Sequence, residues 1–415
     1  MANLLNVDQA LEQILNNFDR LASETSDILD ALGRVIADDI VAETNVPPFP
    51  NSSMDGFAVR AQDIQVATQD KPTSLKITMD IPAGTSPSGV LKPGEAARIM
   101  TGAPMPEGAD SVLPVEDTDA KWTPGDNSLL PEQVAVFRSI KTGDYVRPLG
   151  EDIRVGQKII SAGTVLRAEE IGVLAVLGRP RVFVTRQPRI AILSTGDELI
   201  EIDAPSQSGK IRDSNSYALA ALVTTYGGIP LRIPIARDTI ADVRGRFREA
   251  LNQKPDIILS SAGVSVGAFD VVRTVIDELG EVDFWRINLR PGKPLAFGQV
   301  GGIPFFGLPG NPVSAMVTFD IFVRPALLRL GGRADNARIT SAIIAEDLRS
   351  DGRRSYLRVR LSRENGHLVA HLTGTQSSGA LTSMATADGL LIVPEDVTHA
   401  AAGTEFNVRL LRDIQ

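Results

Sequence analysis

The chain has 415 residues, 43% of them hydrophobic, with a formal charge of −9. At about 150 residues per domain this length predicts about three domains with real cores, and the acidic balance argues against a general nucleic-acid binder. The absence of cysteine excludes disulfides, thiolate metal sites and cysteine nucleophiles and fits a cytoplasmic protein, while His367, His371 and His399 lie too late in the chain for a central histidine metal centre or a Ser-His-Asp triad.

The first predicted element is a helix over residues 7–18, with Val7, Ala10, Leu11, Ile14, Leu15 and Phe18 on one face. The N-terminus has early acids and no basic leader, so no secretory signal is expected. No apolar run approaches the roughly 18 residues of a membrane span. A second helix is expected over 26–32, ending at Gly33. Pro47, Pro48 and Pro50 then stiffen the chain and deliver a polar loop, Asn51 to Gly56, which taken alone reads as an ordinary turn. Residues 57–150 alternate short apolar runs with Pro/Gly turns, as expected of a β-rich insert. Within it Thr101 follows a strand, and Arg147 and Asp152 flank a Gly-Glu turn. A helix is predicted over 168–177. Its likeness in composition to the first helices predicts one discontinuous helical domain, 1–49 with 151–186, around an insert of 50–150.

From 187 the pattern alternates strand and helix, which predicts a central three-layer α/β domain over 187–334 with a mainly parallel sheet. RIAILSTGDEL is a strand followed by Thr195, Gly196, Asp197 and Glu198. The next helix has Ser214 or Asn215 as its expected N-cap. A second strand runs to Arg237 and Asp238. KPDIILSSAGVSVGAFD is strand, small-residue loop and helix. Gly263, Ser265 and Gly267 let the backbone approach an anion, and Asp270 is placed to hold a divalent cation beside it. Taken alone, the segment reads equally well as a tight turn with a capping Asp. An antiparallel pair follows, carrying Arg286, Arg290 and Lys293; the last two bracket Pro291-Gly292 and can reach one anion. A last strand leads into Pro309, Gly310, Asn311 and Pro312. The Thr195 to Glu198 loop, Asp238, the Gly263 to Gly267 loop and the Pro309 to Pro312 turn all sit at carboxyl ends of parallel-type strands, the edge where open α/β sheets bind ligands. Acids and bases together fit a phosphate ligand with a divalent metal. Residues 335–415 predict a small all-β domain, in which the polar TGTQSSGALTS segment reads best as a loop and His367 and His371 as surface residues.

SSMDGFAV, TGAPMPEGAD, GEDI, ILSTGDEL, SSAGVSVG, RPGKP and GLPGNPVS occur in this order along the chain. Together they resemble the MoeA family, the molybdopterin molybdenumtransferases, whose module also forms the E domain of gephyrin. The resemblance implies a four-domain homodimer with a MogA-like central domain and a barrel-like C-terminal domain. It implies insertion of molybdenum from molybdate into adenylylated molybdopterin, with AMP released and Mg2+ assisting. By motif, Asp238 and Asp270 hold the metal with Glu198 nearby, and Asp55 and Thr101 come from the partner's insert. Ser265, Arg290, Lys293 and Ser314 form the molybdate and phosphate pocket, and Arg358, Ser378 and Ser383 reach in from the C-terminal domain. Molybdopterin adenylyltransferase and molybdoenzyme-maturation proteins are the implied partners. Alternatives are a non-catalytic binding or scaffold module of the same fold, a paralogue of altered activity, and an adenylyltransferase. The β insert and the C-terminal β domain speak against the last.

Overall fold

The computed structural model describes residues 4–121, 130–261 and 269–413, with the backbone alone at 269 and 270. The chain divides into two compact units, one of residues 1–26, 30–37 and 183–415 and one of 27–29 and 38–182.

In the first unit, helix α1 (Val7–Leu15) starts where the Asn6 side chain accepts from the backbone N–H groups of Asp8 (2.8 Å) and Gln9 (3.3 Å), as expected of an N-cap asparagine. Six strands form its main sheet: β1 (Arg189–Ser194), β2 (Ile229–Arg232), β3 (Ile257–Ser261), β4 (Gly280–Arg286), β5 (Pro294–Val300) and β6 (Ile303–Leu308). Their spatial order is β2-β1-β3-β6-β5-β4. The first four are mutually parallel, and β5 and β4 complete the edge as an antiparallel pair. Helices α2 (Ser214–Thr225), α3 (Ile240–Asn252), α4 (Phe269–Leu279), α5 (Pro312–Thr318) and α6 (Arg324–Leu330) cover it.

Alternate residues of β1 face opposite layers, as a pleated strand requires. Ile190 and Ile192 pack with α1, α2, α5 and α6, whereas Ala191 and Leu193 pack with α3 and α4. Phe18 stacks on Phe306 at 6.0 Å between centroids and anchors the first layer. Between α5 and α6 the chain makes a π-helical turn, Phe319–Val323. Pro325 has no N–H to continue the normal ladder, which accounts for the widened turn.

The rest of this unit is a barrel-like β domain of β7 (Ile339–Ile344), β8 (Arg354–Glu364), β9 (His367–Leu372), β10 (Gly389–Val393) and β11 (Glu405–Leu410). The order β8-β9-β7-β11-β10 closes because β10 pairs back on β8. Leu289 and Arg290 extend it as a parallel partner of Arg354 and Ser355. Buried Asp320 on the π-turn faces Arg324 (3.0 Å) and Arg409 of β11 (2.8 Å), tying the barrel to the α/β layer.

The second unit holds a five-stranded sheet in the order Ser111–Pro114, Gly56–Val59, Glu95–Ile99, Thr73–Ile81, Gln133–Val136. In Thr73–Ile81 the alternation buries Leu75, Ile77, Met79 and Ile81. The expected helix over 168–177 is present as Ala168–Val176.

Three expectations are corrected. Residues 26–32 are not helical: a strand, Ser23–Asp27, runs into turns that end at Gly33, whose φ is +76°. Leu29 and Leu32 stay exposed there, so no apolar face is buried to hold a short helix. The N-cap of α2 is Asp213, whose carboxylate accepts from Ser216 N at 3.0 Å, not Ser214 or Asn215. The TGTQSSGALTS segment is not a plain loop, since it ends in a short helix, Leu381–Ala385. Helix α1 packs in the first compact unit, and residues 151–182 belong to the second.

Candidate functional site

The carboxyl ends of β1, β3 and β6 open on a cleft of about 410 Å³. Thr195, Gly196 and Glu198 line it after β1, Ser261 ends β3, Pro309 to Pro312 follow β6, and Ser314 projects from α5. A parallel bridge from Thr195 to Ala236 brings the loop after β2 to the same edge. Gly196 has φ +153°, which disfavours a side chain there, and the Glu198 carboxylate folds back over it. The convergence expected of Thr195 to Glu198, Asp238 and the Pro309 to Pro312 turn is present. Gly263, Ser265, Gly267 and the side chain of Asp270 lie outside the described residues; the backbone of Asp270 is the second residue of α4.

The carboxylates at this edge are organised. Asp238 Oδ2 accepts from Asp197 N at 3.2 Å, and Asp197 Oδ1 accepts from Asp238 N at 3.3 Å. Asp238 Oδ1 is buried and has no hydrogen-bond partner among the described residues. A buried, unpaired carboxylate oxygen costs free energy unless a cation or donor meets it. Among the described residues no group of three or more histidines, aspartates or glutamates is arranged to hold a metal ion. The donors present are carboxylate oxygens, the ligand type of a hard divalent cation.

The basic turn reaches the rim through Gly292 and Pro294, which line the cleft. Gly292 has φ +114°, and a Cβ there would meet Thr318 Oγ1 at 2.5 Å, so the turn packs directly against α5. Ile287 N donates to Lys293 O (2.8 Å), leaving the Lys293 side chain exposed. Arg290 is half-buried, 4.0 Å from Asp351. The Arg353 guanidinium, hydrogen-bonded to Asp351, holds that carboxyl below its usual range. Arg286, at the end of β4, is exposed and does not line the described cleft.

Arg358 is 1% exposed and donates to Ser383 Oγ (3.0 Å) and to the carbonyls of Ser377 (3.0 Å) and Thr375 (3.2 Å). Burial, and then the nearby Arg290 charge, push its pKa down. Its guanidinium is therefore committed to the 375–383 segment. That segment meets α5 by its backbone, since Ser378 O accepts from Val313 N at 3.0 Å, between the cleft residues Pro312 and Ser314. In the second unit, Asp55 Oδ1 accepts from both Thr101 N (2.7 Å) and Thr101 Oγ1 (2.8 Å). Arg147 pairs with Asn51 across a two-residue ladder, and Asp152 N donates to Val46 O at 3.0 Å.

Sequence reasoning missed Asn215 as a cleft residue. It lines the cleft and donates to Ser261 Oγ (2.6 Å) and Gly310 O (2.7 Å), joining two of the strand-end loops. Its place at the start of a helix signalled a cap, and only the identity of the true cap shows otherwise.

An α/β unit with its cleft at the strand ends matches the molybdopterin-binding class. The model described as "Probable molybdopterin binding domain" covers residues 191–329. The MoeA N-terminal region (domain I and II) covers 5–178, and the MoeA C-terminal region (domain IV) covers 341–411. The chain is 37% identical to molybdopterin molybdenumtransferase 2 of Mycobacterium tuberculosis, over 92% of this chain and 94% of that one. It is also 37% identical to the molybdopterin molybdenumtransferase of a Nostoc species, over 93% and 88%. The crystal structure of the molybdopterin biosynthesis MoeA protein of Pyrococcus horikoshii superposes with a TM-score of 0.82 at 32% identity, covering 99% of this chain and all of that one. This chain belongs to the MoeA family.

Proposed function

We propose that this chain is a molybdopterin molybdenumtransferase, an enzyme of molybdenum cofactor biosynthesis, and that its substrate is adenylylated molybdopterin. In this reading molybdate supplies the metal to the dithiolene, the adenylyl phosphoanhydride is cleaved, and AMP leaves. The observation that carries it is the meeting on one cleft of the β1 and β6 loops with Ser261 at the end of β3, and the bridge and hydrogen bonds that bring Asp238, with its unpaired oxygen, against the β1 loop.

Molybdate is a tetrahedral dianion, so Arg290, Lys293, Ser265 and Ser314 are assigned to it and to the phosphates. Thr195, Gly196, Asp197, Gly263, Gly267, Arg286, Pro309, Gly310 and Asn311 complete the substrate surface. Asp238 and Asp270 would hold Mg2+, which would neutralise charge on the phosphoanhydride. Glu198, exposed in the loop after β1, would orient water or substrate hydroxyls. Arg358 acts by holding the 375–383 segment, through which Ser378 and Ser383 contribute. Asp55, Thr101, Arg147 and Asp152 are assigned to the substrate as residues of a second copy in a homodimer. No helix of the described residues is long and apolar enough to cross a membrane. We place the enzyme in the cytoplasm, supplied by a molybdopterin adenylyltransferase and delivering to molybdoenzyme-maturation proteins.

The test is to mix the purified protein with adenylylated molybdopterin, Mg2+ and molybdate and follow AMP. Molybdate-dependent release is expected. No release, or release independent of molybdate, refutes the reading.

A further inference from the structure

Asn215 is the second residue of α2, a place where asparagine often serves the helix itself. Here Asp213 already caps α2, so the Asn215 side chain is free for other work. Its contacts fix its orientation. The Gly310 carbonyl can only accept, so the atom 2.7 Å from it must be the amide nitrogen. The same nitrogen lies 2.6 Å from Ser261 Oγ. An amide nitrogen has two protons, and these two contacts use both.

Two consequences follow. Ser261 Oγ is an acceptor in this bond, so its own O–H proton points elsewhere, and among the described residues it has no acceptor. Asn215 Oδ1 likewise has no donor among the described residues. Both residues line the cleft. Neighbouring Thr195 Oγ1 is also buried without a partner among the described residues. The cleft wall thus offers a donor, Ser261 O–H, beside an acceptor, Asn215 Oδ1.

We infer that Asn215 and Ser261 together read a heterocyclic edge of the substrate in which a donor adjoins an acceptor. The Asn215 amide is the strut that holds both Ser261 and the Gly310 turn in place for this. The inference rests on the functional reading given above and adds a substrate-recognising pair to it. The amide edge of a pterin, N–H beside C=O, has this chemistry, and so does the N1/amino edge of adenine. A phosphate, which offers mostly acceptors, satisfies only half of the pair.

The test measures binding of pterin, AMP and inorganic pyrophosphate to the full-length protein by calorimetry. Ser261→Ala is expected to weaken either pterin or AMP about five- to twentyfold, the loss of one buried hydrogen bond, and to leave pyrophosphate within twofold. The heterocycle affected identifies which edge is read. Asn215→Asp removes the strut and is expected to weaken the same heterocycle at least as much at pH 7. Asn215→Gln, which keeps both amide protons, is expected to lose less affinity for that heterocycle than Asn215→Asp, a rescue that a merely structural defect does not give. Unchanged binding of both heterocycles by Ser261→Ala, an equal loss of pyrophosphate, or equal losses in Asn215→Gln and Asn215→Asp overturns the inference. If these failures occur while the parent protein still releases AMP with molybdate, the functional reading stands and only the recognising pair falls. A parent protein that binds neither heterocycle and releases no AMP removes both.

Discussion

Arg358 gives the sharpest test of how the barrel serves the cleft. Among the described residues its guanidinium bonds Ser383 Oγ and the carbonyls of Thr375 and Ser377 rather than a carboxylate. Consider Arg358→Met, close in length and uncharged. It removes three bonds from a charged donor, each worth about 1.5–3 kcal/mol in place. Thr375 and Ser377 are exposed, so their carbonyls can turn to water, and removal of a buried charge offsets part of the loss. The net cost to the whole unit is therefore about 1–2 kcal/mol, small for a chain of this size. The local effect is larger, because these bonds hold the 375–383 segment on the barrel. Amide exchange over 375–383 is expected to rise at least tenfold, equivalent to about 1.4 kcal/mol of local opening. AMP release is expected to fall about tenfold as the contact of Ser378 O with Val313 N loosens. Arg358→Lys, which keeps charge but not the fork, falls between the two. Exchange unchanged over 375–383, with AMP release within twofold of the parent, refutes this account.

Three further outcomes are expected. Asp238→Asn keeps an acceptor for Asp197 N but removes the anionic character of the unpaired oxygen; AMP release should drop about a hundredfold or more, with a raised Mg2+ requirement, and equal release at equal Mg2+ would count against Asp238 as a ligand. Phe18→Ala deletes a ring that is 2% exposed and stacked on Phe306; urea unfolding should show a loss of about 3–5 kcal/mol, and a loss under 1 would mean that the layer closes over the gap. The Arg354 guanidinium, bonded to Asp8 at 2.7 Å, holds that carboxyl below its usual range. The folded value is the lower one, so the pair stabilises above the unfolded carboxylate value and its contribution is lost as pH falls through the folded value. Asp8 is largely exposed, so the pair is worth under about 1 kcal/mol. The stability gap between Arg354→Gln and the parent should narrow on acidification, and a gap that stays constant from neutral to strongly acid pH contradicts it.

Much of this architecture was legible because long periodic segments leave few alternatives. The runs that became β1, β3 and β6, and the helices after them, announce a parallel sheet, and a parallel sheet dictates which edge gathers the loops. The exposed turn at 26–32 was misread because a short apolar pair, Leu29 and Leu32, mimics a helical face that nothing covers. Asn215 was misread for the opposite reason: its local signal, a polar residue at a helix start, is shared by capping and bridging, and only Asp213 in the capping position separates them. The role of Arg358 could not be read from SYLRVR, since alternation places it on a face but does not say that the face is closed by a segment 17 to 25 residues later. The unpaired oxygen of Asp238 is a property of three-dimensional surroundings and has no counterpart in sequence.

The short parallel pairing of Leu289 and Arg290 with the barrel's longest strand has a consequence for how this protein can be dissected. The basic turn belongs by sequence to one fold and by hydrogen bonding to another, so it is stitched across a seam. A fragment that stops near residue 334 would retain every described side chain that lines the cleft. It would still lose the stitch, and with it the reason that Arg290 stands where it does.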